Sequence, residues 1–437
     1  MIPLIFGSTN LTIHKNIIMR IDMTLQQNVL NDVFNKFLKG SIIFENREAL
    51  RHDYIPDSLP HRENQIRFLG EMLAPALKNS ICSNILIYGK TGTGKTAVVN
   101  YVFNKLRIKA DELGLNIIVS FINCRLVGTE YRVFSYLCSN LDTKIPFTGL
   151  ALGEVFDRFK KSLDSKKVLL IVALDEIDAI IKNRGDILLY ELTRINEGLK
   201  NSKVTILGIS NDLKFKELLD PRVLSTLREE EMIFQPYNAD ELHDILYERA
   251  KIAFQETVLG KGVIDLCSAL AAAEHGDARR ALDLLRVAGE VAERRGDKFI
   301  NEGHVREAQT RIEHDRILET IKSLPMHSRI VLLSVYLLKN FDVDRSITGD
   351  IYNIYCEICD EIGDSALTQR RVSGLISELD IMGLLNSRVI SLGRYGRTKK
   401  ISLGIPSRII GQCFLGDDRF KKMVNYRPKY LINLKKN

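Results

Sequence analysis

The residues best suited to chemistry lie in Gly89-Lys90-Thr91-Gly92-Thr93-Gly94-Lys95-Thr96-Ala97. The run follows Ile85-Leu86-Ile87-Tyr88, which reads as a buried strand. It precedes Ala97, Val98, Tyr101, Val102 and Leu106 at helical spacing. Glycines let several backbone N–H groups turn toward one anion, and the helix N-terminus adds partial positive charge. Lys95 can then reach the β- and γ-phosphates of a nucleotide, and the Thr96 hydroxyl can ligate Mg²⁺. Strand, glycine-rich turn and helix together predict a nucleoside triphosphate site.

A second set of groups belongs at the same place. Val168–Leu174 is a continuous apolar run, expected of a strand covered on both faces of a parallel sheet, and it ends in Asp175-Glu176-Ile177-Asp178. Ligands of open α/β sheets sit beyond the carboxyl ends of the strands, so these carboxylates fall near the phosphates. Asp175 is expected to hold Mg²⁺ through its water shell, and Glu176 to accept a proton from the attacking water. The strand Val204–Ile209 ends in Ser210-Asn211. Asn211 could orient that water or touch the γ-phosphate, or simply form a turn. The proline-marked stretch from Tyr54 and Ile55 to His61 and Arg62 could wall a nucleobase, or be a packed lead-in to the following helix. Arg279, after Gly276-Asp277-Ala278, reads on spacing alone as a surface arginine; on a lid it would sense the γ-phosphate.

The elements that must carry these groups are legible in outline. Asn116–Ile122 and Met232–Phe234 are expected as further strands, and 238–310 as a helical bundle opened by the capping box Asn238-Ala-Asp-Glu241. Helices follow at 315–324, 326–340 and 348–362, then Thr368–Met382. In that last helix Val372, Leu375, Ile376, Leu379 and Met382 make an apolar stripe. Gln369, Arg370, Arg371 and Ser373 lie on its exposed side. Val389–Leu392 and Lys399–Leu403 read as a hairpin whose basic tip holds Arg394, Tyr395, Gly396 and Arg397. Three helices and a hairpin predict a winged helix, with the last helix in the major groove of DNA and Arg394, Arg397 and Lys399 at the adjacent groove or phosphates. Protein docking is the other use of such a unit.

Composition bounds the rest. The 437 residues carry a net charge of +7, of which +11 falls between Leu384 and Asn437. That basic end points to a polyanion, or to a solvated tail. Seven cysteines, scattered and odd in number, predict a reducing cytoplasm. Cys356-Glu-Ile-Cys359 falls in a helical pattern and reads as two core-facing or half-buried thiols. No run is long and apolar enough to span a membrane. Residues 1–22 lack a cleavage-like site, and Met19 and Met23 are equally plausible starts.

In this order the pieces resemble the archaeal initiator family related to eukaryotic origin-recognition subunit one and the cell-division-cycle loader, from about Tyr54 to Pro406. Tyr54-Ile-Pro with Leu-Pro-His-Arg-Glu63 matches its base loop, Leu-Asp-Glu-Ile-Asp178 its magnesium motif, Ile-Ser-Asn211 sensor one and Gly-Asp-Ala-Arg279 sensor two. The resemblance implies an α/β fold, an AAA+ P-loop parallel sheet with helical lid, plus a C-terminal winged-helix domain. The implied bounds are leader 1–40, nucleotide domain 41–236, lid 237–312, winged helix 313–410 and basic tail 411–437. It brings Tyr237 and Arg249 near the nucleotide, and an extra DNA-touching helix within Asn123–Phe159. It implies ATP or ADP with Mg²⁺, double-stranded origin DNA, a replicative helicase and other initiator paralogues, in the cytoplasm at the nucleoid. Many eukaryotic relatives carry at Thr226 an arginine acting on a neighbour's ATP; here only Arg222 or Arg228 could substitute. Slow, switch-like hydrolysis with ADP held tightly is therefore expected. A clamp-loader or helicase motor, or a winged-helix transcriptional switch, are the rival readings.

Overall fold

The structure is a computed structural model that describes residues 41–227, 229–341, 346–391 and 397–434. Two compact units divide the chain, Met1–Ala308 and Gln309–Asn437.

In the first unit, five strands run parallel: β1 (Asn84–Gly89), β2 (Ile117–Asn123), β3 (Leu169–Asp175), β4 (Lys203–Ser210) and β5 (Glu229–Phe234). Their spatial order is β2-β3-β4-β1-β5. Alternation along β1 sends Leu86 and Tyr88 into one core, with Phe134, Phe159 and Phe215. It sends Ile85 and Ile87 into the other, against helices Glu63–Leu73 and Lys95–Glu112. Every residue of β3 is buried, as expected of a central parallel strand. β5 begins at Glu229, earlier than its apolar residues alone indicate, because Glu229–Glu231 pair in register with Asn84–Leu86.

The expected helical bundle follows. Asn238 accepts the Glu241 N–H at 2.8 Å and donates its own to the Glu241 carboxylate at 2.9 Å, opening Ala239–Ala253. Helices Val263–Ala273 and Ala278–Arg295 pack with it, and the start of the latter reaches the cavity at the sheet's carboxyl ends. The helix expected at 315–324 is instead the end of one 22-residue helix, Glu302–Ser323. Between Gly303 and Pro325 the chain has no glycine or proline to break it.

The second unit forms around Met326–Asn340, whose Ile330, Val331, Leu332, Leu333, Val335, Leu337 and Leu338 are all buried. Helices Thr348–Ile362 and Gln369–Ile381 pack on it. An antiparallel hairpin, β6 (Leu385–Ser391) and β7 (Arg397–Leu403), completes a winged helix. The strands are longer than expected because Leu385 pairs with Leu403 and both ends of the ladder hold. Met382 leaves the apolar stripe: it is the C-cap of its helix and is 55% exposed. Cys359 is buried and Cys356 half-buried. The stretch expected as a tail from 411 is folded. Helices Ser407–Leu415 and Lys429–Leu434, with the turns between them, bury Ile410, Phe414, Phe420, Val424 and Leu431 in the same core. Charge masked this apolar periodicity. Among the described residues no helix is long and apolar enough to cross a membrane.

Candidate functional site

A cavity of about 640 Å³ opens at the carboxyl ends of β1, β3 and β4, between the sheet and the helical layer of the first unit. The phosphate loop forms its floor. Gly92 and Gly94 have φ +71° and +89°, left-handed values that favour glycine. Space demands glycine as well: a Cβ on Gly94 would lie 2.7 Å from the Tyr237 hydroxyl. The Thr93 hydroxyl pins the loop by donating to Lys90 O at 2.9 Å. Lys95 is 6% exposed, and its ammonium donates to Gly89 O, Lys90 O and Asn211 Oδ1, each at 2.7 Å. Burial, with Arg279 nearby, pushes its pKa down to about 8 despite Asp175.

β3 delivers the carboxylates. The Thr96 hydroxyl donates to Asp175 Oδ2 at 2.9 Å, and the Glu176 N–H to Asp175 Oδ1 at 3.0 Å. Burial raises the Asp175 pKa, and these two hydrogen bonds oppose it. Glu176 sits at φ 51°, a left-handed turn that swings its carboxylate toward the end of β2. There it accepts from Asn123 Nδ2 at 3.5 Å and faces Arg125 at 3.4 Å. Neighbouring β4 is tied in by Ser210, which donates to Asp178 Oδ1 at 3.0 Å.

Two buried arginines hold the roof. Arg62 donates to Thr93 O (3.1 Å), His61 O (3.1 Å) and Gln235 O (2.9 Å), with its guanidinium 3.8 Å from the Tyr237 ring centroid. It thus supports the phosphate loop through carbonyls. Arg249 donates to Ala49 O at 3.1 Å and Tyr54 O at 2.9 Å over the Tyr54 ring, and burial lowers its pKa. Lid and phosphate loop also touch directly: the Ala278 N–H at the start of its helix donates to Gly92 O at 3.1 Å. Arg279 follows it in the cavity wall.

The cavity brings together Tyr54, Ile55, Arg62, Thr91 to Ala97, Asp175, Glu176, Asn211, Tyr237, Arg249 and Arg279. Gly89 and Lys90 stand beneath it, reached through the Lys95 ammonium. His61 is not in its wall: a left-handed φ of 60° turns its ring toward Asp244, at 2.8 Å. Arg222 is also apart, with an 81% exposed side chain paired to Asp220 at 3.0 Å.

In the winged helix, Gln369, Arg370 and Arg371 are exposed on the first turn of their helix, and Ser373 is half-buried. Arg371 faces Glu378 at 3.5 Å. Lys399 is drawn onto the same helix, donating to Ser377 Oγ at 2.6 Å. Arg397 begins β7; Arg228, Arg394 and Tyr395 lie outside the described residues.

Comparison with known proteins agrees with this architecture. Residues 85–237 match the ATPase family associated with various cellular activities (AAA), 243–310 the Cdc6 AAA+ ATPase-type lid domain, and 319–412 the CDC6 C-terminal winged helix domain. ORC1-type DNA replication protein 1 of Methanosarcina mazei is 48% identical over 400 residues, 91% of this chain and 96% of that protein. The ORC1-type DNA replication protein of Thermococcus onnurineus is 49% identical over 404 residues, covering 92% and 97%. The chain belongs to the ORC1-type DNA replication proteins. A solved structure of the Aeropyrum pernix ORC1 protein in complex with DNA superposes on this ORC1-type chain with TM-score 0.77 at 47% identity, covering 88% of this chain and 100% of that one. Cdc6p of Pyrobaculum aerophilum, 21% identical with TM-score 0.55 over 88% and 100%, shares the fold.

Sequence reasoning missed some of the ORC1-type cavity. Phe121 and Asn123 come from the end of β2, Arg125 from the short helix just after it, and Ile245, Ile252 and Leu282 from the lid. Ile245, Arg249 and Ile252 follow i, i+4, i+7 spacing, so one helix face carries all three; that signal was available. Asn123 had none, because only its pairing opposite Asp175 brings it to the site.

Proposed function

We propose that this chain is an ATP-binding DNA replication initiator that recognises double-stranded origin DNA and helps recruit the replicative helicase. The observation that carries the reading is the union in one chain of a walled nucleotide cavity and a winged helix, in the architecture of an ORC1 protein seen with DNA. The base of ATP or ADP lies against Tyr54, Ile55, Ile245, Arg249 and Ile252, and the phosphates over the Gly92–Ala97 backbone with Lys95. Thr96 and Asp175 are adjoining hard oxygen donors, and burial of the carboxylate favours a cation beside it; the pair suits Mg²⁺. Thr96 and Asp175 would hold Mg²⁺, which would supply neutralisation of the nucleotide's phosphate charge. Glu176 takes a proton from the attacking water, Asn211 orients that water and Arg279 faces the γ-phosphate. Gln369, Arg370, Arg371 and Ser373 read the major groove, and Arg394, Tyr395, Arg397 and Lys399 hold the neighbouring groove or phosphates.

Hydrolysis acts as a switch. Arg222 reaches outward from Asp220 and could serve only a neighbour's nucleotide, and Thr226 is not an arginine. Turnover of the isolated protein is therefore well below about one per second, with ADP retained. Other initiator paralogues join it on DNA at the nucleoid.

The test is capture from a pool of genome fragments at fixed salt, comparing wild type, Arg394→Ala/Arg397→Ala and Lys95→Ala. Enrichment of a few repeat elements, lost in the wing variant and kept in Lys95→Ala, is expected. Uniform weak binding with a steep salt slope would overturn origin recognition and favour a clamp- or helicase-loading motor.

A further inference from the structure

The cationic end of the chain does not match the bounds of the winged helix: the family match stops at residue 412. Beyond it the chain folds back as a cap. Phe414 and Phe420 pack ring to ring at 5.1 Å, and the half-buried guanidinium of Arg329 lies over Phe420 while pairing with Asp417. Phe420 and Val424, one helical turn apart, face inward; Arg419, Lys421 and Lys422 are left on the exposed side.

The same cap consumes acid. Helix Thr348–Ile362 offers Asp350 and Glu357 along the surface that the cap covers. The backbone N–H groups of Lys429 and Tyr430 donate to Glu357 at 2.7 and 2.8 Å, and the Tyr430 hydroxyl donates to Asp350 at 2.7 Å. Anionic groups are thus tied to backbone and hydroxyl donors, while the cap's own cations stay outward. Arg419, Lys421, Lys422, Arg427 and Lys429 are all exposed, and none forms an ion pair among the described residues. Against these five cations the cap adds one exposed acid, Asp418. Exposed cations without ion pairs, grouped on one short stretch, suit a polyanion better than one acidic side chain.

We propose that this cap is a second DNA-binding face, engaging the phosphate backbone of duplex DNA without reading its sequence. It rests on the reading of the winged helix as a DNA binder and adds a contact separate from the recognition helix and wing. Because counterion release sets the salt dependence, each phosphate engaged adds about 0.9 to the slope of log K against log salt. The cap therefore raises affinity on every sequence alike and leaves the specificity ratio to the helix and wing.

The experiment uses the full chain and fluorescence anisotropy between about 50 and 200 mM salt. The probes are a labelled captured fragment, a scrambled duplex of equal length and a poly-glutamate peptide. Arg419→Ala/Lys421→Ala/Lys422→Ala, all solvent-facing, is expected to melt as wild type. Its slope should fall by about two to three on both duplexes, with their affinity ratio unchanged within about twofold. Arg419→Lys keeps the charge and should keep the slope. An unchanged slope in the triple variant overturns the proposal. Loss of poly-glutamate binding with the duplex slope intact also overturns it, in favour of an acidic protein partner. Wild type showing no salt-dependent duplex binding would defeat the winged-helix reading itself, a different result from a silent triple variant.

Discussion

Replacing Arg62 by lysine should loosen the lid while keeping the charge. The guanidinium reaches Thr93 O, Gln235 O and His61 O at 2.9–3.1 Å and stacks 3.8 Å from the Tyr237 ring. One ammonium cannot serve acceptors on three segments while stacking flat on a ring. Two charge-assisted hydrogen bonds at about 1.5 kcal/mol each, plus about 1 kcal/mol of stacking, put the loss near 4 kcal/mol. Part of it falls on overall stability. The rest falls on lid closure, because Thr93 belongs to the phosphate loop and Tyr237 precedes the first lid helix. If about 2 kcal/mol falls on closure, nucleotide release accelerates about 30-fold, since 1.4 kcal/mol is tenfold. Stopped-flow chase of a fluorescent ADP from Arg62→Lys and Arg62→Ala reads this directly, with thermal melts reporting the fold. Release within twofold of wild type in both variants, with cooperative melts, would show that Arg62 packs without controlling the lid.

Three further outcomes follow from the geometry. In Gly92→Ala the new Cβ would lie 1.7 Å from Asp277 Oδ1, which caps the lid helix through the Arg279 N–H at 2.8 Å; strain at φ +71° and loss of the cap should weaken ADP binding about 10–100-fold by calorimetry, and unchanged affinity would contradict the lid contact. Arg249→Ala removes the donors to Ala49 O and Tyr54 O and should destabilise by about 2 kcal/mol, or about 5 °C in Tm. Burial opposes ionisation of Asp417, yet Arg329 and the Arg419 N–H hold its carboxyl below the usual range. Its stabilisation is thus present above about pH 4 and lost as pH falls through the lowered value, and Asp417→Asn should flatten that part of an acid-unfolding curve.

The sequence by itself determined the chemistry that is written locally. A phosphate loop is contiguous, and its glycines, lysine and threonine have fixed spacing because one backbone turn must face one anion. A central parallel strand is a run of apolar residues, so β3 and its terminal Asp175 and Glu176 were legible. The capping box at Asn238 and the stripe Val372–Leu379 are likewise short-range patterns. Tertiary structure decided whatever depends on residues far apart in the chain. Asn123 and Arg125 reach Glu176 only because β2 lies beside β3. Arg62 was expected among the nucleotide's contacts, but its donors go to carbonyls that converge only after folding. His61 has a polar side chain in the right loop, yet one left-handed backbone angle turns it to Asp244. At the basic end, the apolar residues that fold the cap are too few to outweigh the lysines and arginines in a composition argument. Their partners on Met326–Asn340 and Thr348–Ile362 supply the burial that fixes them, and that burial exists only in three dimensions.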